Sequence, residues 1–204
     1  MDLVKVGGSL MGHARQVMAP LKAYDVLVVP GGGPFADTVR SVQKETGVDD
    51  ATAHKMAIMA MDQYGLLLSD VSGLPAYDSL DDVETPGIFL PSILLKQDDP
   101  FTPSWDVTSD TIACHIAHLA GAERFIILTD VNGIFVDGEL ASEITAAELQ
   151  KLPETCVDKA LPSYLIKYNM DCMVVNGTDK GAVERALEGE KAGTVVKGKR
   201  PPNA

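Results

Sequence analysis

The chain has 204 residues, 46% of them hydrophobic, which is enough to bury one large core. Its formal charge of −12 excludes a broad nucleic-acid or anionic-membrane surface, yet leaves room for a phosphate ligand held locally by N–H groups and Mg²⁺. No apolar run reaches the ~20 residues of a membrane span and no leader precedes Leu3-Val4-Lys5, so the expectation is a cytoplasmic protein with neither membrane nor nucleic-acid partner.

Residues 3–6 read as a short buried strand that ends in Gly7-Gly8-Ser9, with Lys5 two residues before the glycines. A helix over 13–24 follows, with Ala14, Val17, Met18 and Leu21 on one face. A second strand over 26–30 delivers Gly31-Gly32-Gly33 into a helix over 34–45, with Pro34 in its first turn. A strand that ends in glycines and feeds a helix is an anion site, because free N–H groups and the helix dipole favour negative charge there. Two such sites close in sequence imply two phosphate-bearing ligands and hence phosphoryl transfer.

Asp49 or Asp50 caps a helix over 51–68, and 87–90 is a strand before a loop at 97–105. Helix 108–120 turns Ile112, Ile116 and Leu119 inward, and strand 124–128 breaks at Thr129-Asp130-Val131-Asn132-Gly133. Thr145-x-x-Glu148 is a capping box. Residues 159–169 are helical despite Pro162, strand 172–175 ends at Asn176-Gly177, Thr178 or Asp179 caps a helix through 187, and 193–196 is the last strand. The isolated Cys114, Cys156 and Cys172 read as buried thiols of a reducing compartment. This alternation predicts an α/β fold, a three-layer αβα sandwich with a largely parallel central sheet. Residues 1–198 form one domain and 199–204 a frayed tail. The glycine loops, 129–133 and 176–177 would then gather beyond the carboxyl ends of the strands.

Two phosphate motifs are nearly present and fail. Gly7-x-x-x-x-Gly12 has the P-loop spacing, but His13 and Ala14 follow instead of Lys and Ser/Thr. Gly31-x-Gly33-x-x-Ala36 fits a loose dinucleotide fingerprint, but residues 46–60 read as helix where a second strand ending in an acid is needed. His115 and His118 lack a third zinc ligand at a suitable spacing, and no metal site is expected.

The remaining set is Lys5-x-Gly-Gly-Ser9, Gly31-Gly-Gly33, Thr108-Ser-Asp110 and Thr129-Asp-Val-Asn-Gly133. In this order and spacing the chain resembles the amino acid kinase superfamily across nearly its whole length. The resemblance implies a carbamate kinase-like fold, ATP with Mg²⁺, a small-molecule acceptor and a homo-oligomer. It divides the domain into an acceptor half, about 1–105, and a nucleotide half, about 106–198. It implies that Lys5 contacts the transferring phosphoryl group and Asp110 orients that lysine. Gly7, Gly8 and Ser9 would offer N–H groups to the nucleotide phosphates, and Gly31, Gly32 and Gly33 would hold the acceptor. Thr129, Asp130, Val131, Gly133 and Ile134 would line the nucleotide pocket. A second phosphate-binding lysine is either Lys159, favoured by spacing, or Lys167. Asp106 stands where several members carry Asn.

The acceptor site is expected on helix 51–68, where His54, Lys55 and Asp62 interrupt an Ala/Met/Leu run. Lys55 and Asp62 are seven apart and share a helix face, able to offer one ligand a cation and a carboxylate. This helix, with PGGGPFADTVR, SWDVTSD and LTDVNGIF, looks closest to a small archaeal branch of the superfamily. That branch serves methanofuran biosynthesis and converts an aminomethylfuran phosphate monoester to its diphosphate. The resemblance then implies Arg40 or Lys55 at the acceptor phosphate, Asp62 at the amine, and Trp105 or Tyr77 as an aromatic wall. Isopentenyl phosphate, UMP and acetylglutamate remain as acceptors, and a non-catalytic nucleotide sensor or storage protein as the other class.

Overall fold

The computed structural model describes residues 1–198, and the frayed tail expected at 199–204 lies outside the described residues. The first half runs β1 (Asp2–Val6), α1 (Ala14–Leu21), β2 (Val26–Pro30), α2 (Gly33–Thr46), α3 (Asp50–Ser72), β3 (Ala76–Tyr77), β4 (Gly87–Phe89) and α4 (Ser92–Gln97). The second runs α5 (Ser109–Leu119), β5 (Phe125–Thr129), β6 (Phe135–Val136), β7 (Glu139–Leu140), β8 (Glu143–Thr145), α6 (Ala146–Leu149), α7 (Leu161–Tyr168), β9 (Cys172–Asn176), α8 (Lys180–Leu187) and β10 (Thr194–Lys197).

The strands of the main sheet lie in the order β3-β4-β2-β1-β5-β9-β10-β8, and β6 pairs with β7 as a separate hairpin. Every pairing in the main sheet is parallel except that of β9 with β10. β1, β2 and β5 are buried at every residue, as strands covered on both faces must be. Because β10 runs back, Lys197 and Gly198 return to Asp171 at the foot of β9. The Met1 ammonium pairs with Asp25 and Glu123 at the feet of β2 and β5.

Side chains alternate across a strand, and on β1 this decides where the chemistry goes. Val4 and Val6 join the core layer beneath α1 and α8, whereas Leu3 joins the layer beneath α5, α6 and α7. Lys5, two residues on from Leu3, shares its side and therefore faces α5.

The helix ends follow local chemistry. Asp49 caps α3 by accepting the Thr52 N–H at 2.7 Å, and Asp179 caps α8 by accepting that of Ala182 at 3.1 Å. Thr145 and Glu148 form the capping box of α6, and Pro162 sits in the first turn of α7, where no N–H is lost. The helix expected over 13–24 is shorter, because a tight helical turn at Gly8–His13 precedes it. The helix expected from 159 begins at Leu161, and α3 runs on to Ser72. Burial pushes the thiol of Cys114 up to about 12 and that of Cys156 up to about 11, which favours the protonated form of both near neutral pH. Among the described residues no helix is long and apolar enough to cross a membrane.

Candidate active site

The carboxyl ends of β1 and β2 lie side by side, Val6 opposite Pro30, so their glycine loops emerge together. The Gly7 N–H donates to the Leu128 carbonyl and the Gly31 N–H to the Val6 carbonyl, both at 2.8 Å. Both donors extend the sheet. This corrects the expectation that the Gly7 and Gly31 amides face phosphates. Gly8 and Ser9 instead head the turn at Gly8–His13, whose first N–H groups have no acceptor within it. The two loops touch backbone to backbone. A Cβ on Gly8 would stand 2.3 Å from the Cα and N of Gly33, itself at φ +53°.

Lys5 Nζ lies 2.6 Å from Asp110 Oδ1, and both side chains are less than a tenth exposed. Asp110 sits in the first turn of α5, where acidic side chains suit the helix dipole. Its other oxygen accepts the Asp158 N–H at 3.0 Å. The Asp158 carboxylate accepts from the N–H and hydroxyl of both Thr108 and Thr111 and from the Leu161 N–H. Burial, then the Asp110 charge, raises the Asp158 carboxyl above the usual range. Sequence reasoning passed over Asp158, because an aspartate in a loop carries no local signal of contacts about fifty residues away.

Two cavities open at the start of α5: Thr108, Ser109 and Ile112 line the first, and Thr108 and Asp110 the second. The first, of about 500 Å³, lies between Gly8-Ser9, Gly32-Gly33, one face of α3 and the start of α5. The second, of about 840 Å³, lies beneath the segment joining α6 to α7 and reaches Asp110, Cys156, Asp158 and Lys159. Arg40, Trp105 and Thr108 line both. The Arg40 guanidinium rests 4.2 Å from the Trp105 ring centre, a cation–π contact, with Asp37 Oδ1 3.8 Å from its Nη1. The Trp105 Nε1–H donates to Gln43 Oε1 at 2.6 Å, and Gln43 Nε2 donates to Asp50 Oδ1 at 2.8 Å. His54 lines the first cavity, with Nε2 3.1 Å from Asp99 Oδ2.

Several expected positions fall elsewhere. The cavity face of α3 carries Asp50, Ala53, His54, Ala57, Ile58 and Met61. Lys55 and Asp62 are corrected: they lie on another stripe of the helix and line neither cavity. Lys55 is exposed, and the Asp62 carboxylate accepts the Ser92 N–H at 3.2 Å, its pKa raised by burial. Tyr77 is likewise outside, packed over Gly87. Of the lysine alternatives, Lys159 stands in the second cavity, exposed and 3.8 Å from Asp106 Oδ1. Lys167 lies over the rings of Tyr164 and Tyr168, at 5.0 and 5.1 Å, and lines neither cavity.

In the segment after β5, Asp130 and Val131 are exposed, and the Thr129 hydroxyl donates to Asp130 at 3.3 Å. Gly133 and Ile134 are corrected as pocket residues. Ile134 is 1% exposed in the core, and its N–H donates to the Thr194 hydroxyl. A Cβ on Gly133 would meet that same hydroxyl at 2.5 Å.

A lysine carried by a strand, oriented by a helix-borne acid beside two glycine loops, can neutralise an anionic group in transit between neighbouring cavities. Comparison with known proteins agrees with such a centre. The model of the Amino acid kinase family matches residues 93–176. The chain is 36% identical over 205 residues to the [5-(aminomethyl)furan-3-yl]methyl phosphate kinase of Methanocaldococcus jannaschii, covering 93% of this chain and 94% of that protein. The fold is similar to that of uridylate kinase from Archaeoglobus fulgidus (TM-score 0.69, 18% identity, 96% of this chain and 100% of that one). It is also similar to that of UMP kinase from Bacillus anthracis (TM-score 0.73, 16% identity, 98% and 96%). Likeness over almost the entire length of a kinase, on the fold those structures share, means that the chain belongs to the amino acid kinase family and is a phosphotransferase.

Proposed function

We propose that the protein transfers the γ-phosphoryl group of ATP to a phosphate monoester, [5-(aminomethyl)furan-3-yl]methyl phosphate, giving the diphosphate used in methanofuran biosynthesis. The observation that carries this reading is the buried Lys5–Asp110 pair beside the first glycine loop, with Asp110 on the wall of the second cavity and its neighbour Ser109 on the wall of the first. The first cavity takes the acceptor and the second the nucleotide, which keeps the division into an acceptor half and a nucleotide half.

The residues present fit a phosphate chain. A Cβ on Gly8 would strike the backbone of Gly33, itself at φ +53°, so the two loops meet as bare backbone. Magnesium, entering with the nucleotide, supplies charge neutralisation at its phosphates. Among the described residues no group of three or more His, Cys, Asp or Glu is placed to hold a metal by itself. Gly8 and Ser9, on the wall of the first cavity, donate N–H bonds to the phosphates where the two ligands meet, and Lys159, in the second, reaches the nucleotide phosphates. Lys5 neutralises the phosphoryl group in flight, and Asp110 keeps its ammonium in line. The acceptor phosphate rests on the Gly32-Gly33 loop and on Arg40. No general base is needed, since a phosphate monoester has a second pKa near 6 and is already a nucleophile at neutral pH.

Trp105 and His54 give the furan ring its flat walls. With Asp62 turned away, Asp50 is the carboxylate on the cavity face of α3 that meets the amine. Asp50→Asn is therefore expected to raise the acceptor KM about tenfold and leave the ATP KM unchanged, as loss of one charge-assisted hydrogen bond would. Equal KM values in variant and wild type would remove Asp50 from the site.

The testing experiment is an ATP-consumption assay with Mg²⁺ against the furan phosphate, isopentenyl phosphate, UMP and acetylglutamate. Turnover of the furan phosphate in preference to the others supports the reading. Preference for another acceptor discards this substrate and keeps the centre, and ATP binding without turnover favours a sensor.

A further inference from the structure

We infer that Asp158 is a positioning residue for the Lys5–Asp110 pair, an inference that rests on reading that pair as the phosphoryl-transfer centre. Two helices begin beside Asp158 and neither caps itself. Thr108, heading α5, and Ala160, heading α7, make no side-chain cap bond. One carboxylate serves both. Asp158 Oδ2 accepts from the Thr108 N–H and hydroxyl at 2.9 Å and from the Thr111 N–H at 3.0 Å. Its Oδ1 accepts from the Thr111 hydroxyl at 2.5 Å and the Leu161 N–H at 2.9 Å. Five donors exceed the roughly four lone-pair sites of a carboxylate, so no capacity remains for a ligand. Asp158 therefore acts through what it holds.

It holds Asp110 twice. The side chain fixes the first turn of α5, which carries Asp110. The main-chain N–H takes Asp110 Oδ2 at 3.0 Å, which leaves Oδ1 turned to Lys5 at 2.6 Å. A carboxylate at two helix N-termini is favoured by both dipoles, and so densely bonded a group moves only if all its partners move. The direction in which Lys5 presents its ammonium is thus set from a residue that does not touch it. Asp158 also adjoins Lys159, so the same anchor ties the wall of the second cavity to the reacting lysine.

The test is a set of variants assayed with Mg²⁺, ATP and the furan phosphate at 25 °C. Asp158→Asn keeps the shape but turns an amide nitrogen toward donors. It is expected to lower kcat by about 10- to 100-fold, the scale of a sub-ångström misplacement, with both KM values within about twofold. In an Asp110→Asn background, assayed at high enzyme concentration, the same change should cost less than about twofold, because there is no longer a carboxylate to position. Thr111→Val, nearly isosteric, removes one bond and should show a smaller loss with the same cancellation. A lower Tm with kcat unchanged, or an equal loss in both backgrounds, would make Asp158 a structural cap and overturn the inference. Full turnover in Lys5→Met and Asp110→Asn would instead overturn the reading of the centre itself. If no acceptor turns over, the Tm shifts of Lys5→Met and Asp158→Asn decide the matter. Non-additive shifts in the double variant support coupling through Asp110, and additive shifts refute it.

Discussion

Lys5→Met is expected to lower turnover at least about a thousandfold while the far-ultraviolet spectrum stays that of the wild type. Methionine keeps much of the volume and removes only the charge. Losing one preorganised donor aimed at developing charge costs about a hundred- to a thousandfold, and an ammonium group with its full positive charge in a water-poor site belongs at the upper end. Lys5 meets that condition, since its side chain is 9% exposed and points along the α5 side of β1 to Asp110 at 2.6 Å. Stability responds separately. Removing one member of a buried pair leaves the other without its counter-charge, and Asp110 keeps only the Asp158 N–H. A fall in Tm is therefore expected alongside the kinetic loss, and both must be measured. Activity within tenfold of wild type would remove Lys5 from the chemistry.

Gly8→Ala is the second large effect. The added methyl would stand 2.3 Å from the backbone of Gly33, and a backbone cannot rotate aside as a side chain can. The loops must part. Overpacking of this kind costs about 1–3 kcal/mol, which for a chain of this size lowers Tm by roughly 2–12 °C. The parting also separates the proposed nucleotide and acceptor loops, and a misplacement near 1 Å costs about a hundredfold in rate. Gly12→Ala is the control for stability, because a Cβ there meets nothing within 4 Å. Differential scanning calorimetry of the two variants separates them. Equal Tm values would mean that the loops do not need the close approach.

The architecture was legible because its signals are local. Runs such as DLVKV and VLVVP are continuous and apolar enough for a covered sheet, and Asp49, Thr145 and Asp179 are strong caps. The two- and three-residue strands β3, β4, β6, β7 and β8 are shorter than any period, and of these only β4 left a readable apolar run. Helix α4 was missed beside a loop rich in Asp and Pro. The site was legible only in part. Spacing placed Lys55 and Asp62 on one face, which holds, but spacing does not say which face meets a cavity; packing of α3 on α2 and β2 decided that. Ile134 was drawn into the pocket by its neighbours in sequence, whereas its own side chain belongs to the core. Asp158 had no signal of its own, since its partners Thr108 and Thr111 are set by tertiary structure.

The reversed last strand has a practical consequence. By running antiparallel to β9, β10 brings residue 198 to the pole where Met1 also lies, among the feet of β2, β5 and β9. The glycine loops and both cavities occupy the other pole. A surface or bead tethered beside Met1 or Gly198 would hold the molecule with its mouth facing the bulk. Oriented immobilisation, for a flow reactor or a tethered binding sensor, is thus available without altering a residue of the site.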